Sequence, residues 1–166
     1  MQLANYIPED VTITVAGFVS LSGLADGTFV SITKDIIPFT SSRTADGTIS
    51  RLYNRDTTYT VDITLYSGSE SNDTLTKLLL LDEISQMGKA PLMIKDSSGT
   101  SLFFALTAWV EDMPPLTLSN KFETRTWRIK ATQAVINIGG NVERGSTIDS
   151  IVSIATAALP SLSGLI

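Results

Sequence analysis

Thr58-Tyr59-Thr60-Val61-Asp62-Ile63-Thr64-Leu65-Tyr66 is the stretch that decides the fold class. Successive side chains of an extended chain alternate between two faces. Tyr59, Val61, Ile63 and Leu65 therefore point one way, and Thr60, Asp62, Thr64 and Tyr66 the other. One face is core and the other is wet or pairs with a partner, which is the pattern of an antiparallel strand buried on one side.

Towards the C-terminus, residues 71–87 read as the one strong internal helix. Ser71, Asn72 or Asp73 is suited to cap its start, and Asp73 complements the macrodipole. Leu75, Leu78, Leu79, Asp82 and Gln86 trace one helical line, with the apolar stripe shifted to include Leu81 and Ile84, and Gly88 followed by Pro91 marks the stop. The run Leu78-Leu79-Leu80-Leu81 is wider than one helix face needs, so Leu80 and Leu81 are candidates for an intersubunit contact. Leu92–Asp96 and Thr100–Asp112 read as a hairpin turning at Ser97-Ser98-Gly99. The second arm is apolar on both faces: Leu102, Phe104, Leu106, Ala108 and Val110 on one, Phe103, Ala105, Thr107 and Trp109 on the other. Such a strand needs cover on both sides, and Phe103 and Trp109 join the intersubunit candidates. After Pro114-Pro115, Lys121–Val135 gives a last long strand, with Trp127, Ile129 and Ala131 inward and Thr124, Thr126, Arg128, Lys130 and Thr132 outward. Gly139-Gly140 opens a tail, 141–166, that carries no charge from Ser150 onward and suits a short amphipathic helix stopping before Pro160.

Towards the N-terminus, the segment to Asp10 is a polar arm, Val11–Val15 alternates as a strand, and Gly17 marks a bend before Phe18–Leu21. Asp26-Gly27, between two strand-like runs, predicts a β-hairpin. Residues 36–57 break the pattern: they are polar, with a second Asp-Gly turn at Asp46-Gly47. So long a loop is uncommon in a compact domain and usually functional, and it reads as a long surface hairpin that orders against a neighbouring subunit. These elements predict a mainly β fold, a β-sandwich or rolled β-barrel of about eight strands. One flanking helix, an extended hairpin loop and a short C-terminal helical tail complete it, with residues 1–140 as a single domain.

Composition narrows the function. The chain has 166 residues, with no Cys and no His. That removes disulfides, thiolate nucleophiles, the usual neutral-pH general base and the commonest metal ligands. Twelve Lys and Arg against seventeen Asp and Glu give a net charge of −5, contrary to a surface that neutralises phosphates. No signal segment or membrane span is apparent, and the expectation is a soluble chain made in the cytoplasm. The adjacent carboxylates Glu111-Asp112 and Asp82-Glu83 share no pocket: neighbours on a strand face apart, and on a helix they diverge by about 100°. Asp96-Ser97-Ser98-Gly99 lacks the ligand alternation of a calcium loop, and no phosphate-binding or dinucleotide motif occurs. No catalytic, metal or cofactor-binding residue is nominated. The basic cluster Lys121, Arg125, Arg128 and Lys130 fits cross-strand pairing with carboxylates such as Asp62 better than a nucleic-acid groove.

The order of elements resembles the tail tube proteins of contractile-tailed phages. The residues that carry it are Gly23-Leu24-Ala25-Asp26-Gly27-Thr28-Phe29, Ala45-Asp46-Gly47 leading to Ser50-Arg51 and Asn54, Ser71-Asn72-Asp73-Thr74-Leu75, and Pro91-Leu92-Met93-Ile94-Lys95-Asp96. It spans roughly residues 8–138 and leaves the tail after Gly140 unexplained. The resemblance implies a non-enzymatic virion subunit forming hexameric rings that stack into a tube. Sheath and baseplate proteins would be its partners, DNA would pass through the lumen without sequence-specific binding, and no membrane or cofactor would be involved. It further implies inter-ring contacts by the long loop, assigned to Arg43, Asp46, Arg51, Asn54 and Arg55. Lumen-facing positions would be Thr60, Asp62, Thr64, Thr124, Thr126, Arg128 and Lys130, where the two cations would attract DNA unless paired. A related ring-former (a type VI secretion tube protein or a tail terminator) and a monomeric ligand-binding β-sandwich are the alternatives.

Overall fold

The computed structural model describes residues 4–141 and Ile154. Apart from Ile154, the expected C-terminal helix lies outside the described residues. Nine strands and one α-helix follow a 3₁₀ turn at Pro8–Asp10. They are β1 (Val11–Val15), β2 (Val19–Ser20), β3 (Val30–Lys34), β4 (Phe39–Arg43), β5 (Ile49–Tyr53), β6 (Tyr59–Tyr66), α1 (Ser71–Ser85), β7 (Ala90–Asp96), β8 (Leu102–Asp112) and β9 (Thr124–Asn137). Seven strands form one sheet in the order β2-β1-β7-β8-β9-β6-β3, and β4 and β5 form a separate two-stranded sheet. The fold is mainly β with a single helix among the described residues, as the sequence predicts. The seven-stranded sheet is open, ending at β2 and at β3, so the rolled closed barrel is not formed.

The Asp26-Gly27 expectation needs correction. Gly27 does adopt the left-handed conformation of a turn residue (φ 81°), but the strands on either side do not pair. β2 pairs with β1, and β3 pairs with β6 in the register Ser31↔Asp62 and Thr33↔Thr60. β3 finds the more distant β6, while β2 turns back on β1 just before it, leaving β2 and β3 as the two edges of the sheet. The bend at residue 17 is a tight turn in which both Ala16 (φ 58°) and Gly17 (φ 79°) are left-handed.

The described residues group as two compact units, one built from the chain up to Leu21, Ala90–Leu106 and from Val135, the other from Ser22–Lys89 and Thr107–Ala134. The first buries Ile13, Val15, Leu21, Leu92, Ile94, Phe103 and Ala105. The second buries the predicted face of β6 (Tyr59, Val61, Ile63, Leu65) with Leu75, Ala108, Val110, Trp127, Ile129 and Ala131. The division explains why β8 looked apolar on both faces. Phe103 and Ala105 are buried, then Ala108 and Val110, so the alternation slips by one residue at Leu106–Thr107. β9 slips likewise, from Trp127, Ile129 and Ala131 to Ala134, across Gln133 in a left-handed conformation (φ 52°). At Gln133 the left-handed residue reverses every later side chain, as a bulge does.

In the second unit α1 is anchored by a buried polar hub. Asn72 Nδ2 donates to the carbonyls of Tyr66 (2.9 Å) and Ser69 (3.0 Å), and its Oδ1 accepts the indole N–H of Trp127 at 2.9 Å. None of Ser71, Asn72 and Asp73 caps the helix as expected; the Ser69 hydroxyl accepts the Ser71 N–H instead (3.2 Å), while Ser71 Oγ accepts from Ser22 N. The stop also falls earlier than Gly88, at Gln86, which is left-handed (φ 58°) and donates its N–H to the Asp82 carbonyl (2.8 Å). Leu75 is buried and Leu78 and Leu79 are half-buried, whereas Leu81 and Ile84 lie outward, so the inward stripe is narrower than the sequence suggests.

Candidate assembly surfaces

The segment 36–57 folds into the hairpin β4–β5 in the register Phe39↔Tyr53, Ser41↔Arg51 and Arg43↔Ile49. Its turn is organised by Asp46, whose Oδ1 accepts the Thr48 N–H (3.0 Å) and the Thr44 hydroxyl. Those bonds, the Thr44 hydroxyl foremost, hold the Asp46 carboxyl below the ordinary aspartate range. Asp46, a sequence-predicted contact, is therefore engaged within its own turn. Asn54 is partly engaged too: its N–H reaches the Pro38 carbonyl (2.8 Å) and its Oδ1 accepts the Asp56 N–H (3.0 Å).

Every residue of β4 and β5 is exposed. Phe39 and Tyr53 stack with centroids 4.9 Å apart, and the Arg51 guanidinium lies 4.4 Å from the Phe39 ring. Arg43 and Arg55 form no ion pair or side-chain hydrogen bond among the described residues. Residues 39–55 hold three Arg and one Asp, net +2; the other residues hold nine Lys and Arg against sixteen Asp and Glu, net −7. The hairpin is thus basic on an acidic chain. It also exposes Phe39, Ile49, Leu52 and Tyr53, the last three by 56–71%. A lone two-stranded hairpin is marginally stable in water, so a surface of this kind gains by being covered.

The sequence-predicted lumen residues are brought together. In the β6–β9 register Thr60 faces Lys130, Asp62 faces Arg128, Thr64 faces Thr126 and Tyr66 faces Thr124, all on the outward side of the sheet. Arg128 grips Asp62 through Nε–Oδ1 (3.0 Å) and Nη2–Oδ2 (3.3 Å). Lys130 Nζ lies 2.6 Å from Asp35 Oδ2, 3.1 Å from Thr60 Oγ1 and 3.8 Å from Glu111 Oε2. Thr64 and Thr126 hydroxyls meet at 3.1 Å. The bond to Asp35 leads in raising Lys130 above the ordinary lysine range, against desolvation. Burial alone would raise Asp35, but hydrogen bonds from Lys130 and Thr60 outweigh it and hold the carboxyl low. Both cations of this face are paired. Of the remaining basic cluster, Arg125 lies in register with Leu65 and so shares the opposite face of the sheet.

The apolar candidates separate. Leu80 and Leu81 are 49% and 48% exposed on α1, Trp109 is half-buried, and Phe103 is buried in the core of its own unit. Sequence reasoning missed other exposed apolar side chains, among them Ile84 and Met87 at the end of α1, and Leu116, Leu118 and Phe122 in the loop before β9, all at least 75% exposed. The Pro114-Pro115 signal marked that loop as a break without showing which side chains it turns outward.

Among the described residues no three His, Cys, Asp or Glu side chains gather to hold a metal, and no helix is long and apolar enough to cross a membrane. An open sheet with a paired polar face, and with large apolar side chains presented on hairpin, helix and loop, is the surface of a protein that other chains cover. No protein-family model matches the chain. Structural protein ORF10 of Pseudomonas phage KPP10 is 34% identical over 145 residues, covering 83% of this chain and 84% of that protein. The chain belongs to that family of phage structural proteins, and its role is structural, not enzymatic. The fold is shared with the tube-terminating cap of the anti-feeding prophage (TM-score 0.54, 13% identity, 81% of this chain and 92% of that one). A chain of the PVC extracellular contractile injection system sheath–tube complex lies further off (TM-score 0.49, 15% identity, 80% and 91%). Family and fold agree with the resemblance read from the sequence.

Proposed function

We propose that the chain is the subunit of a phage tail tube, assembling as stacked hexameric rings around a channel for DNA, with sheath and baseplate proteins as partners. The observation that carries this reading is the β4–β5 hairpin, which stands out as its own two-stranded sheet with four large apolar side chains and three arginines exposed. It is the long loop that grips the next ring, through Arg43, Arg51 and Arg55. The open edge of β3 supports a ring. Thr64 N donates to Phe29 O and Asp35 N to Thr58 O, so alternation turns the backbone groups of Val30, Ile32 and Lys34 away from β6, free for a strand of a neighbouring subunit. The Thr-rich face of β6 and β9 suits a wet channel wall, because its two cations are already neutralised and duplex DNA finds no free positive charge there.

Deleting residues 43–52 tests the reading: tube yield and length should collapse while the remaining fold stays intact by circular dichroism. Unchanged tubes would remove the hairpin from the stacking contact. The alternative, a ring that ends a tube, differs in whether rings stack without limit or stop at one, and electron micrographs of the intact protein separate the two.

A further inference from the structure

The receptor for the hairpin is also legible on this chain. α1 turns Asp73, Lys77, Leu80, Leu81 and Ile84 outward, with Glu83 beside them and Met87 just past the cap; Leu80, Leu81, Ile84 and Met87 are 48–85% exposed. The last turn of α1 holds no basic residue, so the negative end of its macrodipole and Glu83 lack a cation of their own. Residues 70–89 carry four acidic and two basic side chains, against three basic and one acidic in residues 39–55. One surface is apolar and acidic, the other apolar and basic, and both are exposed in the same chain.

We infer that the hairpin of one copy seats on the C-terminal half of α1 of a second copy. The seated face is the one shared by Phe39, Ser41, Arg43, Ile49, Arg51 and Tyr53. Phe39 to Arg43 spans about 13 Å along a strand, and Leu80 to Met87 about 10 Å along the helix and its cap, so one hairpin face covers the exposed patch. Ile49 and Tyr53 lie against Leu80, Leu81 and Ile84, and Arg43 or Arg51 reaches Glu83 and the terminal carbonyls. The two patches differ, so the contact is head-to-tail; each copy keeps one free hairpin and one free helix, and addition continues. The inference rests on the proposed stacking role of the hairpin and names the surface it grips.

The chain has no cysteine, so two introduced thiols report on this contact alone. Assemblies of Ile49→Cys/Ile84→Cys, treated with a short bis-maleimide, should give a ladder of covalent dimers, trimers and longer oligomers, and neither single variant should give even the dimer to which one thiol per chain is limited. Charge reversal supplies a second readout. Arg51→Glu and Glu83→Arg should each reduce assembled mass at least tenfold at low salt, and the double variant should restore it. Assemblies that form normally but give no ladder in the double-cysteine variant overturn the inference and leave the tube reading standing. Covalent dimers from Ile84→Cys alone overturn it too, since that means helix meets helix. If the parent protein forms no assembly at all, the tube reading falls and this inference with it.

Discussion

Replacing Asn72 by Ala removes three hydrogen bonds, and the structure says which of them matters. The carbonyls of Tyr66 and Ser69 each keep a backbone donor, from Ser69 N (3.0 Å) and Asn72 N (3.2 Å) respectively, so losing Nδ2 costs about 0.5–1 kcal/mol per bond. The indole N–H of Trp127 bonds to Asn72 Oδ1, and Trp127 is 2% exposed. Orphaning a buried donor costs about 1–3 kcal/mol. Against this, Ala is the better helix former by up to about 0.7 kcal/mol. The net expectation is a loss of about 2–3 kcal/mol. With an m-value near 2 kcal/mol per M, the urea midpoint should fall by about 1–1.5 M, measured by Trp fluorescence at a concentration where the protein is unassembled. A Trp127→Phe/Asn72→Ala double variant should lose about 1 kcal/mol or more less than the two single losses added together, because the orphaned pair is removed as a unit. A midpoint shift below about 0.3 M, or strict additivity, would refute the hub as an anchor of α1.

Three other outcomes follow from the same geometry. The Asp35–Lys130 pair contributes to stability between two limits. Asp35 is held below 3.8, so its contribution is present above the unfolded value and lost as pH falls through the lowered one. Lys130 is raised above 10.5, so its contribution is present below the unfolded value and lost as pH rises through the raised one. Asp35→Asn should remove about 0.2–1 kcal/mol at pH 7 and progressively less as pH falls below 3.8 and through the lowered value, by thermal melting. Gly23→Ala should lower the melting temperature more than Gly17→Ala: both glycines are left-handed, but a Cβ on Gly23 would sit 2.6 Å from Ser69 Cβ while one on Gly17 meets nothing within 4 Å. The left-handed conformation alone costs roughly 1–2 kcal/mol. Finally, Asp35→Asn/Asp62→Asn frees Arg128 and leaves Lys130 only the 3.8 Å ion pair with Glu111, so assembled protein carrying it should retain duplex DNA at low salt where the parent does not, by a filter or gel assay.

Much of this was legible in the sequence because it is local. The period of two in Thr58–Tyr66, the core role of Trp127 and the Asp46-Gly47 turn follow from neighbours a few residues apart. What was hidden depends on distant partners. Asp26-Gly27 has the residues of a hairpin, yet β3 finds the distant β6, while β2 is taken by β1 through the turn at Ala16-Gly17. The two-faced look of Phe103–Val110 comes from a burial pattern that changes phase at Leu106–Thr107, and no residue type marks that change. On α1, four consecutive leucines signalled two covered sides, but only the backbone fixes that Leu75, Leu78 and Leu79 turn inward while Leu80, Leu81 and Ile84 turn out. The pairing of Arg128 and Lys130 was foreseen for Asp62, whereas Asp35 entered only through the β3–β6 register.

The central claim is self-assembly into a hollow tube, and negative-stain electron microscopy of the purified protein across a concentration series tests it most directly. The account predicts rings or cylinders with a stain-filled central hole, six-fold in end view, lengthening as concentration rises. Compact single particles at every concentration would contradict it.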